Sequence, residues 1–178
     1  MKFNLQPNNL VNNFVTLKPL DKNDFEILFA VANDKLLWKQ HPNKLRYKRN
    51  IFEIYFEGAL QSKGAFLVSD SKTNETVGCS RFYDYDSKNN SVLIGYTFIG
   101  RKFWGKGYNK SVKKLMIEYA FQFVYTTYFH VGASNFRSQK AMEKIGGIKI
   151  DEFEVTYYGE ESKMNYIYVI QKKDYKIL

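Results

Sequence analysis

The chain has 178 residues, a length typical of one domain, and its 44% hydrophobic and 25% charged residues match an ordinary globular protein rather than a disordered one. Its longest apolar runs are far shorter than the roughly 20 residues that span a bilayer, so we expect no membrane segment. The polar N-terminal arm, residues 1–13, has no apolar signal-peptide core, and the single cysteine excludes an internal disulfide. We therefore expect one cytoplasmic domain over residues 1–178.

The charge balance is basic. Lysine and arginine number 27 against 18 aspartates and glutamates, which gives a net charge of +9. Such an excess attracts polyanions, so nucleic acid and a small ligand with several phosphates are both candidate partners. A solubilising surface is the commoner reason for an excess of this size. Since the sequence has no nucleic-acid-binding motif, nucleic acid is the weaker candidate.

The first part of the chain is predicted to hold one strand and two helices. Residues 14–20 are rich in β-forming side chains and stop near Pro19, after which Asp21 offers an oxygen that can open a helix. Apolar residues then recur at helical spacing, at positions 25, 28, 29 and 32, and again between residues 52 and 60. A basic, aromatic-bearing segment that contains Trp38 and His41 connects the two helices.

From Gly64 onward the pattern changes to strands with two further helices between them. An antiparallel meander is followed by a long helix, a strand, a second helix and a closing hairpin. The predicted ranges are 65–68, 76–85 and 91–99 for the meander, 112–123 for the long helix, 125–131 for the strand, 135–146 for the second helix, and 148–158 with 164–170 for the hairpin. This order predicts an α/β (α+β) domain whose mixed sheet has helices on both faces.

A glycine-containing loop lies between the meander and the long helix. It reads Gly100-Arg101-Lys102-Phe103-Trp104-Gly105-Lys106-Gly107-Tyr108. Glycines at alternate positions let successive backbone N–H groups point into one hollow, and the following helix adds its unpaired N–H groups and its positive dipole end. The loop therefore predicts a phosphate or pyrophosphate site. It is neither a Walker loop nor the dinucleotide fingerprint, because the residues that complete those motifs are absent from it.

Three segments resemble one family, the GNAT N-acetyltransferases. The loop is similar to that family's cofactor motif, Arg/Gln-x-x-Gly-x-Gly/Ala, and its wording Trp-Gly-Lys-Gly-Tyr resembles the RimJ/RimL-like branch. Asn135-Phe136-Arg137-Ser138, followed by Ala141-Met142-Glu143-Lys144-Ile145-Gly146, resembles the family's Asn-x-x-Ser…Glu-Lys-x-Gly helix, and Ile94-Gly95-Tyr96 resembles its Glu-Ile-Gly-Tyr strand. The resemblance extends from Phe14 to Ile170. It implies the GNAT fold, a mixed and mostly antiparallel sheet of about seven strands with about four helices, splayed between strands four and five.

The resemblance also implies the ligands and the residues that bind them. Acetyl-CoA would be the co-substrate, a primary amine would be the acceptor, and no metal would be needed. Backbone N–H groups near residues 96–99 would stabilise the thioester carbonyl, the loop would hold the pyrophosphate, and α-helical residues near 135 would contact the pantetheine and its sulfur. The cofactor-binding residues are then Tyr96, Thr97, Phe98, Ile99, Lys102, Phe103, Trp104, Gly105, Lys106, Gly107, Tyr108, Asn135 and Ser138.

Ser138 is also singled out by its spacing. Residues 138, 141, 142 and 145 share one helix face, and Ser138 is its single polar member. It lies near the positive end of the helix dipole, where a developing thiolate would be stabilised. The resemblance assigns this serine to the sulfur of the cofactor, which makes it the catalytic candidate. The alternative is a serine that only caps its own helix, and Asn135 has the same alternative as an N-cap.

Two departures from the family pattern bear on catalysis. Lys102 occupies the Arg/Gln position of the loop, and Leu93 replaces the glutamate of Glu-Ile-Gly-Tyr, a carboxylate that serves as a candidate general base in relatives. The base is left open among His41, His130, Asp84, Asp86 and Tyr83, or a water chain, since an exposed α-amine has a pKa near ~8. Trp38, His41 and Tyr83 are the predicted acceptor-binding residues.

Three functions follow from the sequence. The first is an enzyme that acetylates a primary amine, such as a protein N-terminus, a polyamine or another small amine. The second is a non-catalytic module that holds acetyl-CoA, an alternative raised by Leu93 at the position of the family glutamate. The third, a basic nucleic-acid-binding protein, is remote. The family resemblance is compatible with a homodimer, and the sequence leaves the oligomeric state open. The acidic residues near the last hairpin either attract a cationic amine or decorate a surface turn, and the surface turn is the favoured interpretation; they are Asp151, Glu152, Glu154, Glu160 and Glu161.

Overall fold

One sheet of eight strands organises the part of the chain that the computed structural model describes, residues 3–8 and 10–175. The strands are β1 (Leu10–Val11), β2 (Val15–Pro19), β3 (Ala65–Asp70), β4 (Thr76–Asp86), β5 (Ser91–Ile99), β6 (Thr126–Gly132), β7 (Ile148–Val155) and β8 (Lys163–Gln171). Their order across the sheet is β1-β2-β3-β4-β5-β6-β8-β7. Only β5 and β6 pair in parallel, so the predicted mixed, mostly antiparallel sheet is confirmed.

Four α-helices cover the two faces of this sheet in the described part of the chain. They are α1 (Phe25–Ala32), α2 (Arg49–Gln61), α3 (Tyr108–Ala120) and α4 (Phe136–Lys144). Val112, Met116 and Met142 carry α3 and α4 into one buried cluster, while Leu28 and Phe52 carry α1 and α2 into the other. Each helix is therefore held by its apolar stripe, as the sequence pattern predicted.

Two helix boundaries differ from the predicted ones, because N-cap residues rather than the apolar stripes decide where these helices begin. Helix α3 begins at Tyr108, a turn earlier than its apolar stripe, because Gly107 ends the loop in a left-handed conformation (φ 87°) and acts as the N-cap. Asp21 does cap a helix, but a short 3-10 turn, residues 22–24, precedes α1. There Asp21 accepts from the Asn23 N–H and Asp24 accepts from the Asp21 N–H, both at 2.9 Å.

The eighth strand was not predicted. Strand β1 lies in the polar arm and pairs Leu10 with Leu17 of β2. In the same arm Phe3 is buried, with its ring centroid 5.4 Å from that of Phe82 and 5.1 Å from that of Tyr85. Phe3 and Leu10 are isolated apolar residues among polar ones, so they give no periodic signal in the sequence. In the structure both are buried in the aromatic core.

The sheet is parted between β5 and β6, as the resemblance implied for its fourth and fifth strands. Their pairing covers only three positions and ends at Leu93 and Tyr128. Beyond it β6 continues to pair with β8 as far as Gly132, while β5 stays with β4. A register shift against β4 lies at the same place, where Tyr96 adopts a positive φ of 52°. The two strands therefore diverge and leave a gap in the sheet.

No helix in the described residues is both long and apolar enough to cross a membrane.

Candidate functional site

The gap between β5 and β6 belongs to one cleft with two connected parts. The loop-side cavity is bordered by the glycine loop and the first turns of α3 and α4, and includes Gly105, Gly107 and Arg137. The inner cavity lies between the parted strands and includes Gly95, His130 and Lys113. Several residues line both parts, among them Thr97, Asn109, Asn135 and Ser138. A single elongated ligand can therefore extend from the loop into the sheet.

The glycine loop presents unused backbone N–H groups to the loop-side cavity. Gly105 and Gly107 have φ values of 74° and 87°, a conformation that side-chain-bearing residues rarely adopt. The first helical hydrogen bond of α3 runs from the Ser111 N–H to the Gly107 carbonyl at 2.9 Å. The N–H groups of the preceding residues, 108–110, make no backbone bond within residues 3–8 and 10–175. A helix start with free N–H groups is suited to an anion.

The charges around the loop-side cavity are all positive in the described structure. Lys110, Arg137, Lys140 and Lys144 line it, and no aspartate or glutamate of the described residues does. The Arg137 guanidinium lies 3.8 Å from the centroid of the Trp104 ring and donates to the Leu37 carbonyl at 3.3 Å. This stacked and bonded arginine is held in place at the cavity wall. The cavity therefore fits a ligand with several phosphates, such as acetyl-CoA.

The predicted loop residues divide between the cavity and the surface. Phe103, Trp104, Gly105, Gly107 and Tyr108 line the loop-side cavity, whereas the side chains of Lys102 and Lys106 do not. Lys102 is exposed and forms an ion pair with Glu75.

Two aromatic side chains fix the shape of this loop. The Trp104 indole donates to the Ile99 carbonyl at 2.7 Å. The Tyr108 hydroxyl donates to Asp70 at 2.5 Å, and this bond, together with those from the N–H groups of Thr73 and Lys72, lowers the pKa of the Asp70 carboxyl to about 2. The loop is therefore tied to the sheet at both ends.

The bulge in β5 places the four predicted backbone residues along the cleft. Tyr96 and Thr97 line the inner cavity, and Thr97, Phe98 and Ile99 line the loop-side cavity. The Tyr55 hydroxyl donates to the Tyr96 carbonyl at 2.8 Å, which fixes the bulge. Because β6 has already diverged, the edge of β5 beyond Leu93 has no strand partner there, and its N–H groups can serve a ligand carbonyl.

Helix α4 brings Asn135 and Ser138 to the junction of the two cavities. The Asn135 side chain accepts from the Ser138 N–H at 3.2 Å, which confirms Asn135 as the N-cap. Within the described residues the Ser138 hydroxyl makes no hydrogen bond, so it does not act as the cap. Met142 and Ile145 on the same face are buried, as the stripe predicted. The hydroxyl is thus available to a ligand in the cleft.

The three predicted acceptor-binding residues take different places. Trp38 is a core residue that is 2% exposed, donates to the Ala32 carbonyl at 2.7 Å and touches only the loop-side cavity. Tyr83 lies behind the inner cavity, against Gly95, where an added Cβ would meet its ring at 3.0 Å. His41 alone of the three lines the inner cavity.

The two histidines of the cleft are both held neutral. The His41 Nε2 lies 3.2 Å from Arg46 Nη1, and since an arginine only donates, this nitrogen is an acceptor. Burial, and then the Arg46 charge, hold the pKa of His41 well below 6.5. Burial also lowers the pKa of His130, whose buried Nδ1 has no hydrogen-bond partner in the described structure. His130 lines the inner cavity and is the histidine of the cleft with a ring nitrogen that has no partner in the described structure.

These shifts predict a pH dependence of stability. A histidine whose folded pKa is lowered binds fewer protons folded than unfolded, so its stabilising effect is complete above pH 6.5 and is lost as the pH falls below it. For His41 we expect the free energy of unfolding to fall by up to about 1.4 kcal/mol when the pH is lowered to one unit below 6.5. Urea unfolding at two pH values, near 7.5 and 5.5, measures it in the wild type and in His41→Gln. An equal pH dependence in the two proteins would contradict this account.

Several residues of the inner cavity gave no usable signal in the sequence. Arg46 is 2% exposed, and its Nε donates to Glu160 at 2.9 Å from 114 positions away. The interpretation of Glu160 as part of a surface turn was therefore wrong, because a buried guanidinium holds it. Tyr157, from the same hairpin loop, donates to Asn165 at 3.0 Å. Such pairs depend on the tertiary fold and have no local pattern.

Metal binding has no support in the side chains. Among residues 3–8 and 10–175, no three histidine, cysteine, aspartate or glutamate side chains are close enough to hold a metal ion. Asp86, one of the candidate bases, is used in a turn, where it accepts from the N–H groups of Lys88 and Asn89.

Solved structures with the same fold are numerous. A GCN5-related N-acetyltransferase from Brucella melitensis has a TM-score of 0.79 at 17% identity, covering 92% of this chain and 78% of the other. Spermidine N-acetyltransferase from Vibrio cholerae, in complex with CoA and spermine, has a TM-score of 0.69 at 15% identity, and the match covers 92% of this chain and 99% of the other. The microcin C7 self-immunity acetyltransferase, in complex with acetyl-CoA and AMP, has a TM-score of 0.73 at 18% identity, and the match covers 94% of this chain and 98% of the other. A search of curated proteins gives no match.

The parted, mostly antiparallel sheet with helices on both faces is the fold that these acetyltransferase structures share. The family model described as "Acetyltransferase (GNAT) domain" matches residues 15–148, about three quarters of the chain. The protein therefore belongs to the GNAT acetyltransferase family, and its fold agrees with this membership over nearly its whole length.

Proposed function

We propose that this protein is an acetyl-CoA-dependent N-acetyltransferase that transfers the acetyl group to a primary amine by direct attack on the thioester. The observation that supports it best is the continuous cleft, which joins a cationic, N–H-rich loop to the gap between β5 and β6. Bound at this cleft, acetyl-CoA would supply the activated acetyl group.

The residues would divide the work along the cleft. The N–H groups at the start of α3, with Lys110, Arg137, Lys140 and Lys144, would hold the phosphates. The N–H groups of the β5 bulge would stabilise the carbonyl, since they are fixed before the ligand arrives. Ser138, at the junction of the two cavities, would donate to the departing thiolate.

His130 is the base that the geometry favours. It lines the inner cavity, its Nδ1 is free of protein partners in the described structure, and its lowered pKa keeps it neutral near pH 7. His41 is less suited, because Arg46 already donates to its Nε2. Leu93 lies at the last paired position before the gap and outside the inner cavity. A water chain that reaches His130 would complete the proton path from the amine.

The inner cavity also favours some acceptors over others. No aspartate or glutamate of the described chain lines it, and the nearby Glu160 is already paired with Arg46. A polyamine would therefore find no counter-charge there, whereas a peptide N-terminus or a small amine with one reacting nitrogen would need none. We accordingly favour the latter acceptors, in a RimJ/RimL-like, cytoplasmic and homodimeric enzyme.

A screen by mass spectrometry tests the proposed function. The protein is incubated with ¹³C-labelled acetyl-CoA and a panel of N-terminal peptides, small amines and spermidine, and thiol release is followed in parallel. Acetylation of a peptide or small amine in preference to spermidine supports the proposal. Tight binding of acetyl-CoA without transfer to any amine would favour the second function, a module that only holds the ligand. Binding of DNA in place of acetyl-CoA would support the remote nucleic-acid function.

The role of Ser138 gives a sharper prediction. Ser138→Ala should lower kcat by about 100-fold, the lower end of the usual contribution of a positioned proton donor, with little change in the affinity for acetyl-CoA. The matched control is Ser111→Ala on α3, because Ser111 bonds Asn12 and lines neither cavity. Steady-state kinetics with the best amine measures both. An unchanged kcat in Ser138→Ala would remove this serine from the reaction.

A further inference from the structure

A lysine lies inside the cleft without a role in the proposed reaction. Lys113 is on α3, in the second turn of the helix, and is 6% exposed. Its side chain lies beneath the parted strands, where Nζ donates to the Thr97 hydroxyl at 2.8 Å and is 5.1 Å from the centroid of the Phe129 ring. It lines the inner cavity together with Asn135 and Ser138.

No carboxylate of the described residues lines the cavity around Lys113 and could balance an ammonium charge. The titratable or charged groups that line the same cavity are Arg46, His41, His130, Tyr96 and Tyr157. From the elements packed against it, β5 contributes the Thr97 hydroxyl, β6 the Phe129 ring and α4 the Ser138 hydroxyl. An isolated buried ammonium is unfavourable, and burial lowers the pKa of Lys113 to about 7. Much of this lysine is therefore a neutral amine at physiological pH.

A neutral primary amine is a nucleophile. In the described structure the Lys113 Nζ makes one hydrogen bond, to Thr97, and the residue lines the inner cavity, so the hydrogen-bonding capacity of this amine is not used up. This is the cavity into which the proposed function brings a thioester. Surface lysines, in contrast, remain protonated and solvated near pH 7.

We propose that Lys113 accepts an acetyl group from acetyl-CoA bound in the same molecule, so that the protein acetylates itself in the inner cavity. This inference rests on the proposed function, since it requires the donor to bind in the cleft. The neutral Nζ attacks the thioester carbonyl, the new C–N bond forms as the C–S bond breaks, and the proton lost by Nζ goes to the departing sulfur to give CoA. No other reactant is needed. The amide N–H of acetyl-lysine can still donate to Thr97, and the buried charge is removed.

The test uses the whole protein and needs no acceptor amine. After incubation with ¹³C-labelled acetyl-CoA, the protein is digested with chymotrypsin and the label at each lysine is quantified by mass spectrometry. We expect Lys113 to be labelled at least 10-fold faster than exposed lysines near pH 7. The labelling rate should stop rising with pH once the pH exceeds the pKa of Lys113. An excess of CoA should suppress the label at Lys113 and leave the surface lysines unchanged.

Variants and a binding measurement separate the outcomes. Lys114→Arg on the same helix is the matched control and should keep the label at Lys113, and Lys113→Met should lose it. The label at Lys113 of the wild-type protein is the deciding result, so the test remains valid even if a variant fails to fold. Label spread evenly over the exposed lysines, or none at Lys113 while calorimetry shows bound acetyl-CoA, would overturn this inference and leave the proposed function standing. Failure to bind acetyl-CoA would overturn both.

Discussion

Replacing Gly107 by valine is expected to weaken the binding of acetyl-CoA by about 100-fold, or ~2.7 kcal/mol. Gly107 is the N-cap of α3 at φ 87°, a conformation that a β-branched residue occupies only under strain. An added Cβ would find no close contact, its nearest neighbour being the Phe14 ring at 3.7 Å, so the backbone rather than crowding is the cause. A loop that relaxes this strain turns its N–H groups away from the phosphates, and each hydrogen bond to a charged group contributes about 1.5–3 kcal/mol.

The matched control is Gly146→Val. Gly146 ends α4 with nearly the same φ, 82°, has nothing within 4 Å of an added Cβ, and lines neither cavity. Both variants should lose similar stability, about 1–3 kcal/mol, but only Gly107→Val should lose affinity in calorimetry. Equal affinities in the two variants would show that the loop does not hold the ligand.

Replacing Glu160 by leucine is expected to destabilise the fold by about 3–5 kcal/mol, because it leaves the Arg46 guanidinium buried without its partner. The side chains of Arg46 and Glu160 are 3% and 11% exposed, and the guanidinium also lies 4.8 Å from the centroid of the Tyr55 ring. The same change should disturb the inner cavity, which Arg46 lines. The free energy of unfolding in urea measures the effect.

Two comparisons isolate the ion pair. The surface pair of Arg49 and Glu26 also has two hydrogen bonds, but its side chains are 50% and 70% exposed, so Glu26→Leu should change stability little. In the double variant Arg46→Met with Glu160→Leu, no charge stays buried, and we expect much of the lost stability to return. If Glu160→Leu costs no more than Glu26→Leu, the pair does not hold the hairpin loop over the inner cavity.

The sequence predicted those parts of the fold that rest on local patterns. The apolar stripe of α3, the N-cap Asn135 and the glycines of the loop act on their immediate neighbours, and the structure has each where it was expected. The parted sheet came from the family resemblance rather than from periodicity, and the pairing that ends at Leu93 confirms it. The assignment of individual residues to acetyl-CoA and to the acceptor stays a prediction.

The features that the sequence did not predict depend on contacts between distant segments. Arg46 and Glu160 are 114 positions apart, and the sequence around each of them predicts only a solvent-exposed charged side chain. Lys113 lies next to the apolar stripe of α3 but is buried, because β5 and β6 part above it. Tyr96 takes a positive φ that no local pattern announces, since the bulge is set by the pairing with β4. Tertiary packing decides these cases.

The central claim is that the cleft binds acetyl-CoA through the loop at the start of α3. Calorimetric titration of the wild-type protein with acetyl-CoA at moderate salt tests it most directly. We predict saturable binding at one site per chain, displaced by CoA and weakened in Gly107→Val but not in Gly146→Val. Absence of saturable binding, or binding that the Gly107 variant leaves unchanged, would contradict the account.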